Sequence, residues 1–132
     1  SDMTRTVFVG EPDKEFRKIY DTVRKAHDAA MDFAKPGVKC EDIDSVARHV
    51  ITESGYGEYF IHRTGHGIGL EVHEEPYIVQ GNTAILEPGM AFSIEPGIYV
   101  PSRYGVRIED CVIVCEGGVE PFTEFSSELT VI

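Results

Sequence analysis

The sequence has few cysteines, few basic residues and no long apolar run. Its three cysteines, Cys40, Cys111 and Cys115, are an odd number without a Cys-x-x-Cys pair. This pattern is typical of reduced thiols in a cytoplasmic protein and not of a disulfide framework. Twelve Lys and Arg stand against 23 Asp and Glu, a formal net charge of -11, which argues against nucleic acid or an anionic membrane as partner because both need basic patches. No signal peptide or apolar run of spanning length is present, so we expect no membrane partner.

Histidine is concentrated in one glycine-rich stretch, 60–73. His62, His66 and His73 are three of the five histidines of the chain. Three glycines lie between the first and the last of them, and each costs about 1 kcal/mol relative to alanine inside a helix. The stretch is therefore predicted to be a loop feeding a short strand. Imidazole is the commonest protein ligand for metals and titrates near neutrality, so all three histidines are candidate ligands on this evidence.

The remaining pattern predicts an α+β fold. With 132 residues and 42% hydrophobic content the chain fits one globular domain that buries about two-thirds of its unfolded surface. Apolar residues at three-four spacing predict helices over 13–34 and 40–54, the second closed by a glycine. Residues rich in Val, Thr and Ile predict strands over 4–9, 106–115 and 129–132.

Two copies of Glu-Pro-Gly occur in different surroundings. Glu87 precedes a strand, where such a tripeptide is typical of an exposed turn. Glu95 lies between two apolar runs, Met90–Ile94 and Ile98–Val100, where a carboxylate is costly unless a cation pairs with it. Glu95 is therefore the candidate ligand of the two.

Two further carboxylates lie at strand ends. Asp2 precedes the first predicted strand, and Glu109 lies in the last long one with Arg107 on the same face. Apolar residues on both faces of that strand predict that Arg107 and Glu109 form an interior pair, which needs a functional reason. With His66 and Glu95, these residues provide one imidazole and three carboxylates, a set that suits Mn, Zn, Co or Fe(II) and favours the harder ions.

Four motifs, in order along the chain, give a family resemblance. The chain resembles the C-terminal half of the catalytic domain of a Xaa-Pro dipeptidase or Xaa-Pro aminopeptidase, from the dimetal peptidases with the pita-bread fold. The matching stretches are Ser1-Asp-Met-Thr-Arg-Thr6, His62-Arg-Thr-Gly-His-Gly-Ile-Gly69 with Val72-His-Glu-Glu-Pro76, Phe92-Ser-Ile-Glu-Pro-Gly-Ile98 and Gly105-Val-Arg-Ile-Glu-Asp110.

The resemblance implies a role for each candidate residue. Asp2 and Glu109 would be carboxylates that bridge two metals, and His66 and Glu95 would complete the coordination of one of them. His62 and His73 would contact substrate and help to stabilise the tetrahedral intermediate, and Arg107 would support the carboxylates. A metal-bridging hydroxide would attack the peptide bond that precedes proline, with Glu95 as proton acceptor.

The resemblance also implies that the chain is one partial domain, 1–132. Two helices would pack on a curved, largely antiparallel sheet, and the first half of the domain would be missing. A further metal-binding aspartate of the family precedes the strand containing Asp2 and is absent here. Two metals, Mn first and otherwise Co, Zn or Fe, would therefore be expected in the intact enzyme and at most one, bound tightly, in this chain. We expect poor activity from the chain alone, and a homodimer of the full-length protein.

Three other functions stay open at this point. Methionine aminopeptidases share the Gly-His-Gly-Ile-Gly and His-Glu-Glu-Pro patterns, whereas His62 and the last two motifs resemble the proline-specific branch. A creatinase-like hydrolase without metal is disfavoured by the retained ligand set. A pita-bread module without peptidase activity could use the same groups to bind a partner or peptide.

Overall fold

A computed structural model describes residues 2–132, so Ser1, the first residue of the first motif, lies outside the described residues. Within them, two helices and ten short strands follow one another. In chain order the elements are β1 Met3–Thr4, β2 Val7–Phe8, α1 Lys14–Phe33, α2 Cys40–Glu53, a 3-10 turn Gly57–Tyr59, β3 Gly65–Gly67, β4 Glu74–Ile78, β5 Ala91–Ile94, β6 Gly97–Val100, β7 Tyr104–Arg107, β8 Glu109–Cys115, β9 Gly118–Pro121 and β10 Thr130–Val131. Neither helix is long and apolar enough to cross a lipid bilayer.

Both predicted helices are confirmed, with ends within a residue or so of the expected ones. Helix α1 begins after Asp13, whose carboxylate accepts a hydrogen bond from the backbone N–H of Phe16 at 2.8 Å. Such a cap contributes about 1 kcal/mol. Helix α2 ends just before Gly55, which has a φ of +88° and so takes the left-handed conformation that glycine adopts without strain.

The helices pack together and cover one large sheet. Its strands follow the order β1-β8-β5-β3-β4. Strand β9 pairs with residues 112–115 of β8, and every pairing in this sheet is antiparallel. Helix α1 contacts α2 and strands β5 and β9, and α2 contacts β4. Fully buried side chains such as Ile19, Ile43, Phe92 and Val112 fill the layer between helices and sheet, each contributing about 1.5–3 kcal/mol.

Two of the predicted strands are wrong in one respect, because each is interrupted where the chain changes partner. The predicted strand 4–9 is two strands, since β1 pairs with β8 whereas β2 pairs in parallel with β10. The predicted strand 106–115 is also two strands, because β7 pairs with β6 and β8 belongs to the large sheet. The chain passes from one sheet to another at Ile108. The final strand is confirmed as β10.

Candidate metal centre

Asp2, His66 and Glu109 come together across the strands of the large sheet, although they are far apart in sequence. One ligand atom from each lies within 4.8 Å of the other two. Glu109 opens β8, Asp2 directly precedes β1, and the β1–β8 register opposes Thr4 to Glu109. His66 is the middle residue of β3, which reaches β8 through β5. Strand pairing is therefore what brings the three residues together.

Glu95 joins this group from the end of β5. Its Oε1 lies 3.2 Å from His66 Nε2, and Asp2 Oδ2 lies 3.9 Å from the same nitrogen. The hydroxyl of Ser93 donates to Glu95 Oε1 at 3.0 Å and accepts from the backbone N–H of His66 at 3.0 Å. One hydroxyl thus ties two candidate ligands to each other. The prediction that Glu87 is solvated is confirmed, because its side chain is exposed.

The ring of His66 is oriented for coordination through Nε2. Its Nδ1 lies 3.0 Å from the carbonyl oxygen of Gly67. A carbonyl only accepts hydrogen bonds, so Nδ1 is the donor in this contact, and Nε2, on the carboxylate side, is the nitrogen that would bind a metal. A backbone carbonyl that holds the second imidazole nitrogen is the usual arrangement around a metal-bound histidine.

Glycines flank His66 because the neighbouring chains approach too closely for a side chain. A Cβ on Gly65 would lie 1.7 Å from the carbonyl oxygen of Ser93, and one on Gly67 would lie 2.2 Å from that of Glu75. Both distances are far inside van der Waals contact. The glycines therefore seat β3 tightly between β4 and β5, and this fixes where the imidazole lies.

Glu109 is a buried carboxylate in negative surroundings. Its side chain is 4% exposed and accepts a hydrogen bond from the hydroxyl of Thr4. Burial raises the pKa of Glu109, and the charges of Glu95 and Asp2 raise it further against the opposing effects of Thr4 and Arg107. A divalent cation at this point would offset the repulsion. One imidazole and three carboxylates fit Mn, Zn, Co or Fe(II) by donor type.

Arg107 acts on this carboxylate through an intermediate hydroxyl. Its Nε donates to Thr4 Oγ1 at 3.2 Å, whereas Glu109 Oε2 is 3.8 Å away. The prediction of an interior pair is correct for Glu109 and wrong for Arg107, whose side chain is 41% exposed. The break at Ile108 explains the difference, because Arg107 belongs to the small β6–β7 pair and not to the covered sheet.

His62 and His73 border a cavity beside the candidate ligands. His62 Nδ1 lies 2.7 Å from the carbonyl oxygen of Arg63, and its Nε2 lies 3.0 Å from the hydroxyl of Tyr99. The exposed ring of His73 meets that of His66 edge-on, with centroids 4.3 Å apart. The cavity has a volume of about 700 Å³ and is also lined by Arg63, Tyr77, Val79, Glu95 and Arg107, a size that suits a small ligand.

Sequence reasoning missed the hydroxyl groups of this site. Thr4, Ser93 and Tyr99 hold Glu109, Glu95 and His62 respectively. A signal for two of them is present, since Thr4 and Ser93 each lie two residues from a candidate ligand, and a spacing of two puts side chains on one face of a strand. The partner of Tyr99 is 37 residues away, beyond the reach of such a rule.

Comparison with known proteins gives the same family from sequence and from structure. The model of metallopeptidase family M24 matches residues 1–116. The chain is 58% identical over its whole length to a Xaa-Pro dipeptidase of Lactobacillus delbrueckii subsp. lactis, and 50% identical over 129 residues, 98% of the chain, to one of Pyrococcus furiosus. It spans 36% and 37% of those proteins, so it covers little more than a third of their length.

Solved structures agree. The prolidase of Thermococcus sibiricus superposes with a TM-score of 0.98 at 49% identity, and the Xaa-Pro dipeptidase of Bacillus anthracis with 0.98 at 48%. All of this chain is covered in both superpositions, against 36% and 37% of those chains. The predicted fold class is thereby confirmed: two helices lie on a curled antiparallel sheet, as in the prolidases. The chain belongs to metallopeptidase family M24 and has part of its pita-bread fold.

Proposed function

We propose that this chain supplies a large part of the active site of a metallo-exopeptidase that hydrolyses the peptide bond preceding proline. The observation that carries the proposal is the convergence of Asp2, His66 and Glu109 within 4.8 Å, beside a cavity bordered by His62 and His73. The names of the similar proteins, Xaa-Pro dipeptidase and prolidase, support the choice of substrate.

We propose that Asp2, His66, Glu95 and Glu109 hold a divalent metal, with Mn favoured because three of the four donors are carboxylates. When bound in such a site, a divalent ion polarises a carbonyl and makes water more acidic. The chain would bind one such ion tightly and no second one, because Asp2 and Glu109 alone would hold a second ion weakly.

The residues around the cavity have distinct proposed roles. Glu95, whose Oε1 faces His66 and is fixed by Ser93, accepts the proton of the attacking water. His62, held by Tyr99, and the exposed His73 contact the peptide and stabilise the charge that develops on its carbonyl oxygen. Arg107 keeps Thr4, and through it Glu109, in place.

We further propose that residues 1–132 form one partial domain. On this account the polypeptide that carries them is a homodimer, and the chain alone is a poor catalyst. The three free thiols, Cys40, Cys111 and Cys115, favour a reducing compartment such as the cytoplasm. A single substrate class, proline-containing peptides, is expected to occupy the cavity.

Hydrolysis assays test the proposal. A full-length polypeptide containing this chain should cleave an Xaa-Pro dipeptide after addition of Mn²⁺ or Co²⁺, and Glu95→Gln should lower kcat by about 10²–10⁴-fold. Glu87→Gln, an exposed glutamate in the same tripeptide context, is the matched control and should keep full activity. Full activity of Glu95→Gln would contradict the mechanism. Peptide binding without hydrolysis in every metal would instead favour the binding-module alternative.

A further inference from the structure

Arg5 lies behind Asp2 and Glu109, two of the proposed metal ligands. Every N–H group of its guanidinium donates a hydrogen bond to the surrounding chain. The guanidinium has five N–H donors in a planar fork. Nη1 donates to the carbonyl oxygens of Glu109 at 2.7 Å and Thr4 at 2.9 Å. Nη2 donates to the Asp110 carboxylate at 2.8 and 3.0 Å and to the carbonyl oxygen of Phe125 at 2.8 Å. Nε donates to the carbonyl oxygen of Ser126 at 2.9 Å.

The contacts to Thr4 and Glu109 span the two strands that present the metal-site carboxylates. Thr4 and Glu109 are direct partners in the β1–β8 register. The same nitrogen, Nη1, therefore holds the two carbonyls of one cross-strand pair. Strand β1 has only two residues, fewer than a strand normally needs to be stable by itself, so its position depends on side-chain contacts such as these.

Asp110 anchors the guanidinium from the opposite side of β8. It follows Glu109 directly, and the side chains of Arg5 and Asp110 are 13% and 7% exposed. His27 Nε2 lies 3.1 Å from Asp110 Oδ2 but has no hydrogen-bond partner among residues 2–132. Arg5 donates to Asp110 at 2.8 and 3.0 Å, whereas Thr123 donates at 3.5 Å, and removal of one member of such a pair leaves a buried charge unpaired.

We infer that Arg5, fixed by Asp110, is a positioning residue that sets the separation of Asp2 and Glu109 for metal binding. This inference rests on the proposed metal site and adds to it a residue that touches neither the metal nor the substrate. It also ties residues 125–126, outside the family match at 1–116, to the backbone of the centre. Lysine cannot replace Arg5, because an ammonium is a point donor without the fork.

Titration of the 132-residue chain with Co²⁺ tests the inference without any assay of activity. Arg5→Lys should weaken Co²⁺ binding about 10- to 100-fold, the usual cost of losing an outer-shell partner, and should change the visible absorption of bound Co²⁺. Asp110→Asn should act in the same direction with a smaller effect. Arg17→Lys, on an arginine whose side chain is 49% exposed and pairs with the exposed Glu11, is the control and should bind as the unaltered chain does.

The outcomes separate this inference from the proposed function. All titrations are made well below the unfolding midpoint of each variant, and if Arg5→Lys does not fold, Asp110→Asn provides the decisive comparison. A lower melting temperature with unchanged Co²⁺ affinity and spectrum would overturn the positioning role and leave the metal site intact. Failure of the unaltered chain to bind Co²⁺ would overturn the metal site, and the inference with it.

Discussion

The two sides of the candidate centre are built differently. On the carboxylate side, Glu109 is buried and lies on a paired strand, with its backbone carbonyl held by Arg5. On the histidine side, His73 is exposed and His62 is half-buried, in chain segments that precede and follow β3. The carboxylate side is therefore held by buried contacts, whereas the histidine side is open.

The histidine side nevertheless has an anchor of the same kind. Asp44 of α2 is 1% exposed. It accepts hydrogen bonds from the backbone N–H and hydroxyl of Thr64 at 3.1 and 2.8 Å and from Arg48 at 2.9 Å. Arg48 also donates to the carbonyl oxygens of Phe60 and His62 at 3.0 Å each. Thr64 in turn accepts from the backbone N–H of Glu95 at 2.7 Å.

Each side thus uses an arginine paired with a buried aspartate to hold backbone carbonyls next to candidate site residues. The two sides differ in which residues these contacts reach. Hydrogen bonds hold the backbone of Glu109 and of Glu95 directly, but among the described residues no comparable contact fixes His73. Large exposed apolar side chains, Leu70 and Val72, precede His73, so this segment offers surface for a ligand or for further protein.

The largest effect should come from removing the imidazole that both sides share. His66→Ala removes one of the proposed metal ligands. Replacement of a residue that only supports a ligand can cost about 100-fold in metal affinity, and we expect the Mn²⁺ affinity of His66→Ala to fall by more than that. His73→Ala should leave Mn²⁺ affinity unchanged while lowering kcat of the full-length enzyme about 10²-fold. Calorimetry and steady-state kinetics measure the two effects. Equal loss of metal binding in both variants would remove the distinction drawn between the two sides.

The next largest effect concerns the anchor of the histidine side. Asp44→Asn leaves Arg48 without its carboxylate partner, and we expect the free energy of unfolding to fall by about 3 kcal/mol, the lower end for a broken buried pair, because Arg48 is partly exposed. Urea denaturation measures this. Asp42→Asn, on the exposed face of the same helix, should cost less than about 1 kcal/mol. Similar costs for both variants would show that Asp44 is no anchor.

The two neighbouring carboxylates of β8 should respond to pH in opposite ways. Burial and nearby acids raise the pKa of Glu109 above its usual 4.5, so the metal-free fold loses stability as pH rises through that raised value. Burial also opposes ionisation of Asp110, but the neighbouring His27 and Arg5 outweigh it and lower its pKa below 3.8. Asp110 therefore stabilises the fold above 3.8, and this contribution is lost as pH falls through its lowered pKa.

Substitution separates these two contributions. Glu109→Gln should stabilise the metal-free chain by about 1 kcal/mol at neutral pH and remove the loss of stability above pH 4.5. Asp110→Asn should destabilise the chain at neutral pH. It should also reduce the fall in the free energy of unfolding that the unaltered chain shows at acid pH. Urea unfolding at a series of pH values in a chelating buffer gives both curves. A Glu109→Gln curve parallel to that of the unaltered chain would contradict the proposed cost of this carboxylate.

The smallest effect is expected at Tyr99. Its hydroxyl makes one hydrogen bond to His62, and a single neutral hydrogen bond contributes about 1 kcal/mol. Tyr99→Phe should lower kcat/KM of the full-length enzyme about fivefold without altering metal affinity. A loss as large as that of His73→Ala would place Tyr99 itself on the substrate.

Local sequence patterns predicted the elements that depend on local rules. Helices α1 and α2 follow from apolar spacing, and the end of α2 follows from the glycine at position 55. The interruption of the predicted strand 4–9 could not be predicted, because β1 and β2 pair with β8 and β10, which lie more than a hundred residues further along the chain. The interruption of 106–115 marks a change of partner from β6 to β5, which the alternation of apolar residues does not record. Long-range pairing leaves no periodic trace in the sequence.

At the candidate site, too, local features could be predicted from the sequence and long-range contacts could not. Glu95 was separated from Glu87 by its apolar surroundings, a local property, and the structure places Glu95 beside His66 and Glu87 in solvent. Family resemblance was needed to choose His66 among three histidines. Neither route reached Arg5, whose partners lie 104 to 121 residues away except for Thr4.

Metal stoichiometry tests the central claim most directly. The metal-free 132-residue chain would be titrated with Mn²⁺, and bound ion counted by native mass spectrometry and by loss of the free-Mn²⁺ electron paramagnetic resonance signal. We predict one tightly bound ion per chain, lost in His66→Ala and retained in His49→Ala, a control on the exposed surface of α2. No bound ion, two tightly bound ions, or one ion that persists in His66→Ala would contradict the account.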